Sequence, residues 1–152
     1  MDALQTMLDE KKRNIVDEAT AGLRRAHLRH YESAGVDNTR QRLESLYDLT
    51  RESVRRRKLT AMIQHADGIA RERFEAGYDL LEIQTAFNIL EEVIWKRVLN
   101  ELRPEEFASA LGLVSTVLGA GKDALARTYV SLACGTRAAS LNLEALFEGA
   151  ID

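Results

Sequence analysis

The sequence is poor in residues that interrupt helices or cross-link a chain. It has 152 residues, with one proline and one cysteine, Cys134. A single cysteine excludes an intrachain disulfide, and reducing cytoplasm is the expected location. The scarcity of proline and of alternating β-branched runs argues against a sheet and predicts an all-helical chain.

The sequence also lacks an apolar run of membrane length and an excess of positive charge. Its longest stretch without a charged residue is 107–121, which is shorter than the roughly 20 residues that a membrane span needs. The N-terminal residues contain no apolar signal core. The net charge of −3 excludes a generally basic nucleic-acid binder. We therefore expect neither a membrane nor a nucleic acid as partner, and we predict a buried helix at 107–121.

What the sequence does contain is apolar residues at helical spacing. The main periodic segments are 10–33, 39–57, 59–76, 80–102 and 104–133, with short helices expected at 3–8 and 141–148. Asn38 and Gln41 have the spacing of a capping box and would begin a helix at Thr39. Pro104 suits a first helical position. With short connections and no linker, the long segments in particular predict one compact all-α domain of five or six helices across residues 1–152.

The segment RERFEAGYDLLEIQTAFNILEEVIW, at 71–95, indicates two helices joined at a corner. Gly77 can take the left-handed conformation that ends a helix. Asp79 is a suitable N-cap for the next helix, and Glu82 follows it at capping-box spacing. Tyr78 and Ile83 flank the cap at the spacing of a hydrophobic staple. These signals agree on a structural corner, which needs no ligand to explain it.

Three histidines are the candidates for a metal or haem site. His27 and His30 are three residues apart, and His65 lies on a predicted middle helix. A di-iron bundle needs Glu-x-x-His motifs, but the residues three before these histidines are Arg24, His27 and Met62. We therefore expect no metal site. A haem needs one well-placed histidine, so His65 or His27 stays an alternative ligand beside the preferred interpretation as satisfied or solvent-facing side chains.

No catalytic motif is present in the sequence. The segment TVLGAGKDAL has part of the phosphate-loop pattern, but Thr116 stands where the first glycine belongs and Asp123 where serine or threonine belongs. The charged run RRRK at 55–58 is expected to complement the C-terminus of its helix and to stay solvated. We therefore predict a protein that is not an enzyme and needs no cofactor.

The predicted helix after Pro104 is apolar on nearly every side. One stripe along it consists of small residues and includes Gly112, Ser115 and Gly119. A neighbouring stripe consists of large apolar residues and includes Leu111 and Leu118. A helix of this kind must be covered on all sides, and small residues let two helices approach closely. We therefore predict a homodimer with these five residues in the interface, together with part of the helix at 80–102. The alternative is a central buried helix in a monomer.

Two separated parts of the sequence resemble a known family. An early helix ends in His30-Tyr31, an arginine-rich helix follows, and a longer motif comes later: Gly77, Tyr78, Leu80, Glu82, Ile83, Ala86, Phe87 and Trp95. Over about residues 10–135 this order is similar to the N-terminal domain of RsbR-type proteins, the co-antagonists of the RsbT kinase in bacterial stressosomes. The resemblance implies a globin-like fold without haem, a homodimer, and a role in sensing a signal or relaying it to a kinase or STAS-domain protein.

The resemblance sets the functional hypothesis. Family members often carry a following STAS domain with phosphorylatable residues, but this sequence ends at Asp152 without one, so those residues are not carried over. The chain is then either a domain that acts alone or part of a longer regulator. We predict a non-enzymatic, cytoplasmic sensory or regulatory domain that acts through helix packing. The alternative is a globin-like sensor that binds haem or another small ligand through His65 or His27.

Overall fold

The computed structural model describes residues 2–135, which form seven helices and no strand. The helices are α1 (Ala3–Glu10), α2 (Lys12–Arg25), α3 (Arg29–Ala34), α4 (Val36–Arg56), α5 (Thr60–Glu75), α6 (Leu80–Glu101) and α7 (Pro104–Cys134). The all-helical prediction is confirmed for this part of the chain, whereas the expected number of five or six helices is wrong. The short helix predicted at 141–148 lies outside the described residues.

The additional helix arises because the helix predicted at 10–33 is interrupted. α2 ends at Arg25 and α3 begins at Arg29, and between them His27 has a φ of 51°. A left-handed conformation is uncommon for residues other than glycine and has no signature in the local sequence here. In the first turn of α3, the N–H of His30 donates to Oε2 of Glu82 at 3.0 Å. A carboxylate on α6 therefore caps the start of α3, which a local sequence pattern does not reveal.

The boundary between α3 and α4 also differs from the prediction. Gly35 has a φ of 89° and separates the two helices. α4 therefore begins at Val36, and Asn38 lies inside its first turn, so the capping box predicted for Asn38 and Gln41 is wrong. The left-handed glycine determines this boundary instead. The bounds of α5, α6 and α7 agree with the predicted segments to within one residue.

The longest helix, α7, packs against α4, α5 and α6. Its buried residues are Ala110, Val114, Val117, Leu118, Gly121, Ala124 and Leu125. At Gly121 the helices approach so closely that an added Cβ would lie 2.8 Å from Cε2 of Phe87 and 2.9 Å from Sδ of Met62. Among the helices of residues 2–135, none is both long and apolar enough to cross a bilayer.

The N-terminal helices complete the core on the other side of α4. α2 packs against α4 and α6, and α1 packs against α4. The buried hydroxyl of Tyr47 on α4 donates to the carbonyl oxygen of Leu8 at the end of α1, at 2.5 Å. α3, α4, α5 and the start of α6 surround a separate region beside the corner between α5 and α6.

Candidate functional site

The predicted corner between α5 and α6 is confirmed. Gly77 has a φ of 85°, and the N–H of Tyr78 donates to a carbonyl in the last turn of α5 at 2.9 Å, which closes that helix. The capping box of Asp79 and Glu82 is present in both directions. Tyr78 and Ile83 are both buried, as a hydrophobic staple across the cap requires.

The carboxylate of Glu82 also binds a residue outside its own helix. Its Oε1 lies 2.6 Å from Nδ1 of His30 and accepts the N–H of Asp79 at 3.1 Å, while Oε2 accepts the N–H of His30. Burial raises the pKa of Glu82, but the hydrogen bonds from Asp79 and His30 outweigh that effect, so the pKa lies below its ordinary value. Glu82 is therefore an ionised, buried carboxylate that fixes α3 against the start of α6.

Tyr78 joins the same group of side chains through its ring and its hydroxyl. The ring stacks on His30 with centroids 4.7 Å apart, and Tyr31 meets it edge-on at 5.4 Å. The Tyr78 hydroxyl accepts a hydrogen bond from Nη1 of Arg42 at 2.6 Å and donates to the carbonyl oxygen of His30 at 3.3 Å. We refer to His30, Tyr31, Arg42, Tyr78 and Glu82 as the corner cluster. It connects α3, α4 and α6 in one hydrogen-bonded and stacked arrangement.

A cavity of about 290 Å³ adjoins the corner cluster and is bounded by α3, α4, α5 and α6. Its apolar wall consists of Leu43, Leu46, Ile69, Ile83, Ala86 and Phe87. Its ionisable side chains are Tyr31, Arg42, His65, Glu72 and Arg73. Tyr31 and Arg42 belong to both the cavity and the corner cluster, so a change in one affects the other.

Arg73 is the most unusual residue of this cavity. It is only 6% exposed, although arginine is rarely buried unless it is paired. Its Nη1 donates to Oε1 of Glu72 at 2.7 Å, and its guanidinium carbon lies 5.7 Å from the ring centroid of Tyr78. Its Nε is buried and has no hydrogen-bond partner within residues 2–135. A buried donor without an acceptor destabilises the folded chain, unless a ligand supplies the acceptor.

Two of the other ionisable groups of the cavity, His65 and Tyr31, are neutral at neutral pH. Burial lowers the pKa of His65, and the charge of Arg73 lowers it further, against a smaller opposing effect of Glu72. Burial raises the pKa of Tyr31 despite the opposing charges of Arg73 and Arg42. His65 is therefore an uncharged imidazole and Tyr31 an intact hydroxyl. The charged groups of the cavity are the two arginines and Glu72.

Most of the chain matches a known protein family. Residues 13–133 match the family model described as the RsbT co-antagonist protein rsbRD N-terminal domain. The chain belongs to this family. The suspected resemblance is therefore confirmed, and the RsbT co-antagonist family is regulatory rather than catalytic. No curated protein and no solved structure matches the chain significantly.

The two separated parts of the family resemblance meet in this RsbT co-antagonist domain. His30-Tyr31 at the start of α3 and the corner at 77–82 form most of the corner cluster. Further along the same motif, Ile83, Ala86 and Phe87 form one wall of the cavity. The motif residues therefore surround one place in the fold, although the two parts are about fifty residues apart in the sequence.

The residues predicted for a dimer interface divide between the surface and the core. Gly112 is exposed, and Leu111, Ser115 and Gly119 are half-buried, whereas Leu118 is 0% exposed within the chain itself. An added Cβ at Gly112 or Gly119 would meet no atom within 4 Å. Gly112 and Gly119 therefore lie on a face of α7 with room for a side chain, whereas Leu118 packs inward.

The two histidines considered as haem ligands lie in different environments. His65 is half-buried in the wall of the cavity, whereas His27 is exposed, with its Nδ1 2.7 Å from Oε1 of Glu32. The cavity beside His65 measures about 290 Å³, which is small for a haem. Within residues 2–135, no three side chains of metal-binding type lie together.

Sequence reasoning missed Arg73, Arg42 and the pairing of His30 with Glu82. A signal for Arg73 was available, because Met62, Ala66 and Ala70 form the buried face of α5 and Arg73 continues their spacing. An arginine in line with an apolar stripe indicates a buried charge that needs a partner. The pairing of His30 with Glu82 joins residues far apart in the chain and had no local signal.

Proposed function

We propose that the chain is a non-enzymatic regulatory domain that relays a signal, through helix packing, to a stressosome-like partner. The observation that carries this proposal is the family match over residues 13–133. Because the family is described as an RsbT co-antagonist, the partner we propose is an RsbT-type kinase or a STAS-domain protein that acts with it. We extend the proposal to a single cytoplasmic domain with a globin-like helix arrangement.

The proposed relay operates in a homodimer. The surface formed by Leu111, Gly112, Ser115 and Gly119 has room for another helix, since an added Cβ at either glycine meets no atom within 4 Å. Small residues on such a surface let a second copy approach closely, and a two-fold pair is the commonest symmetric solution. Because this surface lies on α7, a change in the packing of α7 alters the dimer directly.

The neighbouring helix α6 supports the same interface. Trp95 and Leu99 are one turn apart on α6 and are 39% and 50% exposed. α6 and α7 run antiparallel across a short connection, and Nζ of Lys122 lies 2.9 Å from Oε1 of Glu91. Trp95 and Leu99 are therefore level with the middle of the α7 surface. Large exposed apolar side chains near a surface of small residues suit burial against a second chain.

Sedimentation of a double variant tests the homodimer. We expect Gly112→Arg with Ser115→Glu to give folded monomers, since the new charges would be buried in the interface. The matched control is Gln64→Glu with Gly68→Arg, at two exposed positions of α5, which should leave the dimer intact. A double variant that stays dimeric and keeps its melting temperature would place the interface elsewhere.

Binding to an RsbT-type kinase tests the relay. We expect the purified chain to bind the kinase, alone or together with a STAS-domain partner, in a calorimetric titration. The monomeric double variant should bind differently from the wild type, because the proposal couples the dimer to the partner. If neither protein binds the kinase under any of these conditions, the relay proposal is wrong.

An absorption spectrum separates this proposal from a haem-binding sensor. We expect no Soret band in the purified protein, even after incubation with haemin. A Soret band that disappears in His65→Ala or His27→Ala would support the haem sensor instead. The spectrum requires no knowledge of the partner, so it can be recorded before the binding experiments.

A further inference from the structure

The guanidinium group of Arg73 has an unused hydrogen-bond donor, its Nε. Its Nη1 is taken by Glu72 at 2.7 Å, and Glu72 is the only acidic residue paired with Arg73 in the described part of the chain. The Nε is buried without a partner. In arginine, Nε–H and one Nη2–H form an edge that matches the two oxygens of a carboxylate. An acceptor for Nε would have to come from outside the described part of the chain.

The charges around the cavity favour a singly charged anion. Arg42 and Arg73 line it as two cations, and Glu72 is the one carboxylate among its lining residues. Burial, followed by the charge of Arg73, lowers the pKa of His65, so the imidazole adds no charge at neutral pH. Among the residues that line the cavity, one positive charge is therefore left over. A monoanion matches this surplus, whereas a dianion would leave one negative charge unpaired in a partly apolar site.

The remaining walls favour an apolar body attached to that anion. Leu43, Leu46, Ile83 and Phe87 are almost fully buried and line the cavity. A volume of about 290 Å³ is near the lower end of the roughly 300–1,000 Å³ that small-molecule sites occupy. A few polar groups that fix orientation, set in an apolar wall, are the usual composition of such sites.

We propose that this cavity binds a small monocarboxylic acid with an apolar body. The carboxylate accepts a hydrogen bond from Nε of Arg73, near the Tyr31 hydroxyl, and the body packs against Ile83 and Phe87. The site goes beyond the proposed regulatory role, and it is built entirely by α3 to α6 of one chain. If the cavity binds no carboxylic acid, the proposals of an α7 dimer surface and a kinase partner are therefore unaffected. If those two proposals fail, the proposed cavity site is likewise unaffected.

Calorimetric titration of the full chain with simple probes tests the proposal. Benzoate and 4-methylpentanoate are the carboxylate probes, benzamide is the neutral match to benzoate, and inorganic phosphate is the anion without an apolar body. We expect at least one carboxylate to bind with one molecule per chain, and benzamide and phosphate to bind at least about tenfold more weakly. If neither carboxylate binds at millimolar concentration, or if phosphate binds as tightly, the proposal is wrong.

An arginine variant with a matched control locates the site. Arg73→Met keeps an unbranched side chain of similar length and removes the unpaired donor, so the variant should remain folded. We expect it to bind benzoate at least about tenfold more weakly than the wild type. The control is Arg71→Met, an exposed arginine on the same helix that pairs with Asp67 at 3.2 Å, and it should bind like the wild type. Equal binding by the Arg73 variant would overturn the assignment.

A measurement on the wild-type protein removes the dependence on a variant. The ¹⁵N and ¹H resonances of the Arg73 Nε–H group report directly on its hydrogen bond. We expect both resonances to shift on addition of benzoate and to stay in place on addition of benzamide. Shifts confined to exposed arginines, with Arg73 unchanged, would show that the probe binds at the surface and would contradict the proposal.

Discussion

Nδ1 of His30 lies 2.6 Å from Oε1 of Glu82, and this contact joins the start of α3 to the start of α6. Glu82 accepts two backbone N–H groups as well, so its removal would leave partly buried donors without acceptors. We expect Glu82→Ala to cost about 2–3 kcal/mol in the free energy of unfolding. Urea denaturation at pH 7 measures this cost. Glu92→Ala, at an exposed position of the same helix, should change it by less than about 0.5 kcal/mol.

The same carboxylate predicts a loss of stability in acid. Because the folded-state pKa of Glu82 lies below its ordinary value of 4.5, the unfolded chain takes up the proton first as the pH falls. The contribution of Glu82 is therefore fully present above about pH 4.5 and is lost as the pH falls through the folded-state pKa. Glu82→Gln should show a smaller decrease in stability over this range. Parallel pH profiles for the variant and the wild type would contradict the prediction.

The lowered pKa of His65 predicts a second change of stability with pH, in a higher pH range. Burial and the charge of Arg73 lower its pKa from the ordinary value of 6.5, so the unfolded chain binds the proton before the folded chain does. The protein should therefore lose stability as the pH falls from about 6.5 toward the folded-state pKa. His65→Gln should remove this part of the pH dependence in urea denaturation. A wild-type protein whose stability stays constant between pH 7 and pH 5.5 would argue against the buried position of His65.

Gly77 tests the backbone of the corner. At a φ of 85° a β-branched residue is strained, and an added Cβ would meet only Nε2 of His30 at an ordinary 3.7 Å. We therefore expect Gly77→Val to cost about 1–2 kcal/mol or more through strain and not through a clash. Thermal unfolding measures the change. The control Gly68→Val, in an exposed and uncrowded part of α5, should have a melting temperature at or slightly above that of the wild type.

Gly121 tests the packing between α5, α6 and α7. An added methyl group would lie 2.8 Å from the Phe87 ring and 2.9 Å from the sulfur of Met62, so both side chains must move. We expect Gly121→Ala to destabilise the protein by about 1–3 kcal/mol, although alanine favours a helix. Gly68→Ala is the matched control and should stabilise the protein by up to about 1 kcal/mol. If both variants are stabilised equally, the three helices are less closely packed at Gly121 than described.

The elements that the sequence predicted well are those with local signals at both ends. α6 has a left-handed glycine before it, a capping box at its start and Pro104 just after it, so its bounds follow from neighbouring residues alone. The break between α2 and α3 depends on Glu82, which lies more than fifty positions further along the chain. A helix cap supplied by another helix has no local pattern, and the long predicted helix at 10–33 was wrong for that reason.

The candidate site was harder to predict than the fold, because its properties depend on burial. Arg73 is one of many arginines in the sequence, and it differs from the exposed Arg71, two residues earlier, by its burial and by its position over the ring of Tyr78. The same limit applies to α7. Periodicity identified a helix that is apolar on several sides, but it did not indicate that Leu118 packs inward while Gly112 remains exposed.

The ring of Phe87 lies between the cavity and α7. It forms part of the cavity wall, and its Cε2 lies where α7 has no space even for a methyl group, beside Gly121. A displacement of this ring is not absorbed locally, because close-packed interiors transmit strain. A displacement of the ring by an occupant of the cavity is therefore transmitted to α7, the helix that carries the exposed small residues. Phe87→Leu removes the part of the side chain that contacts α7 beside Gly121. The chemical shifts along α7 should then become insensitive to any occupant of the cavity.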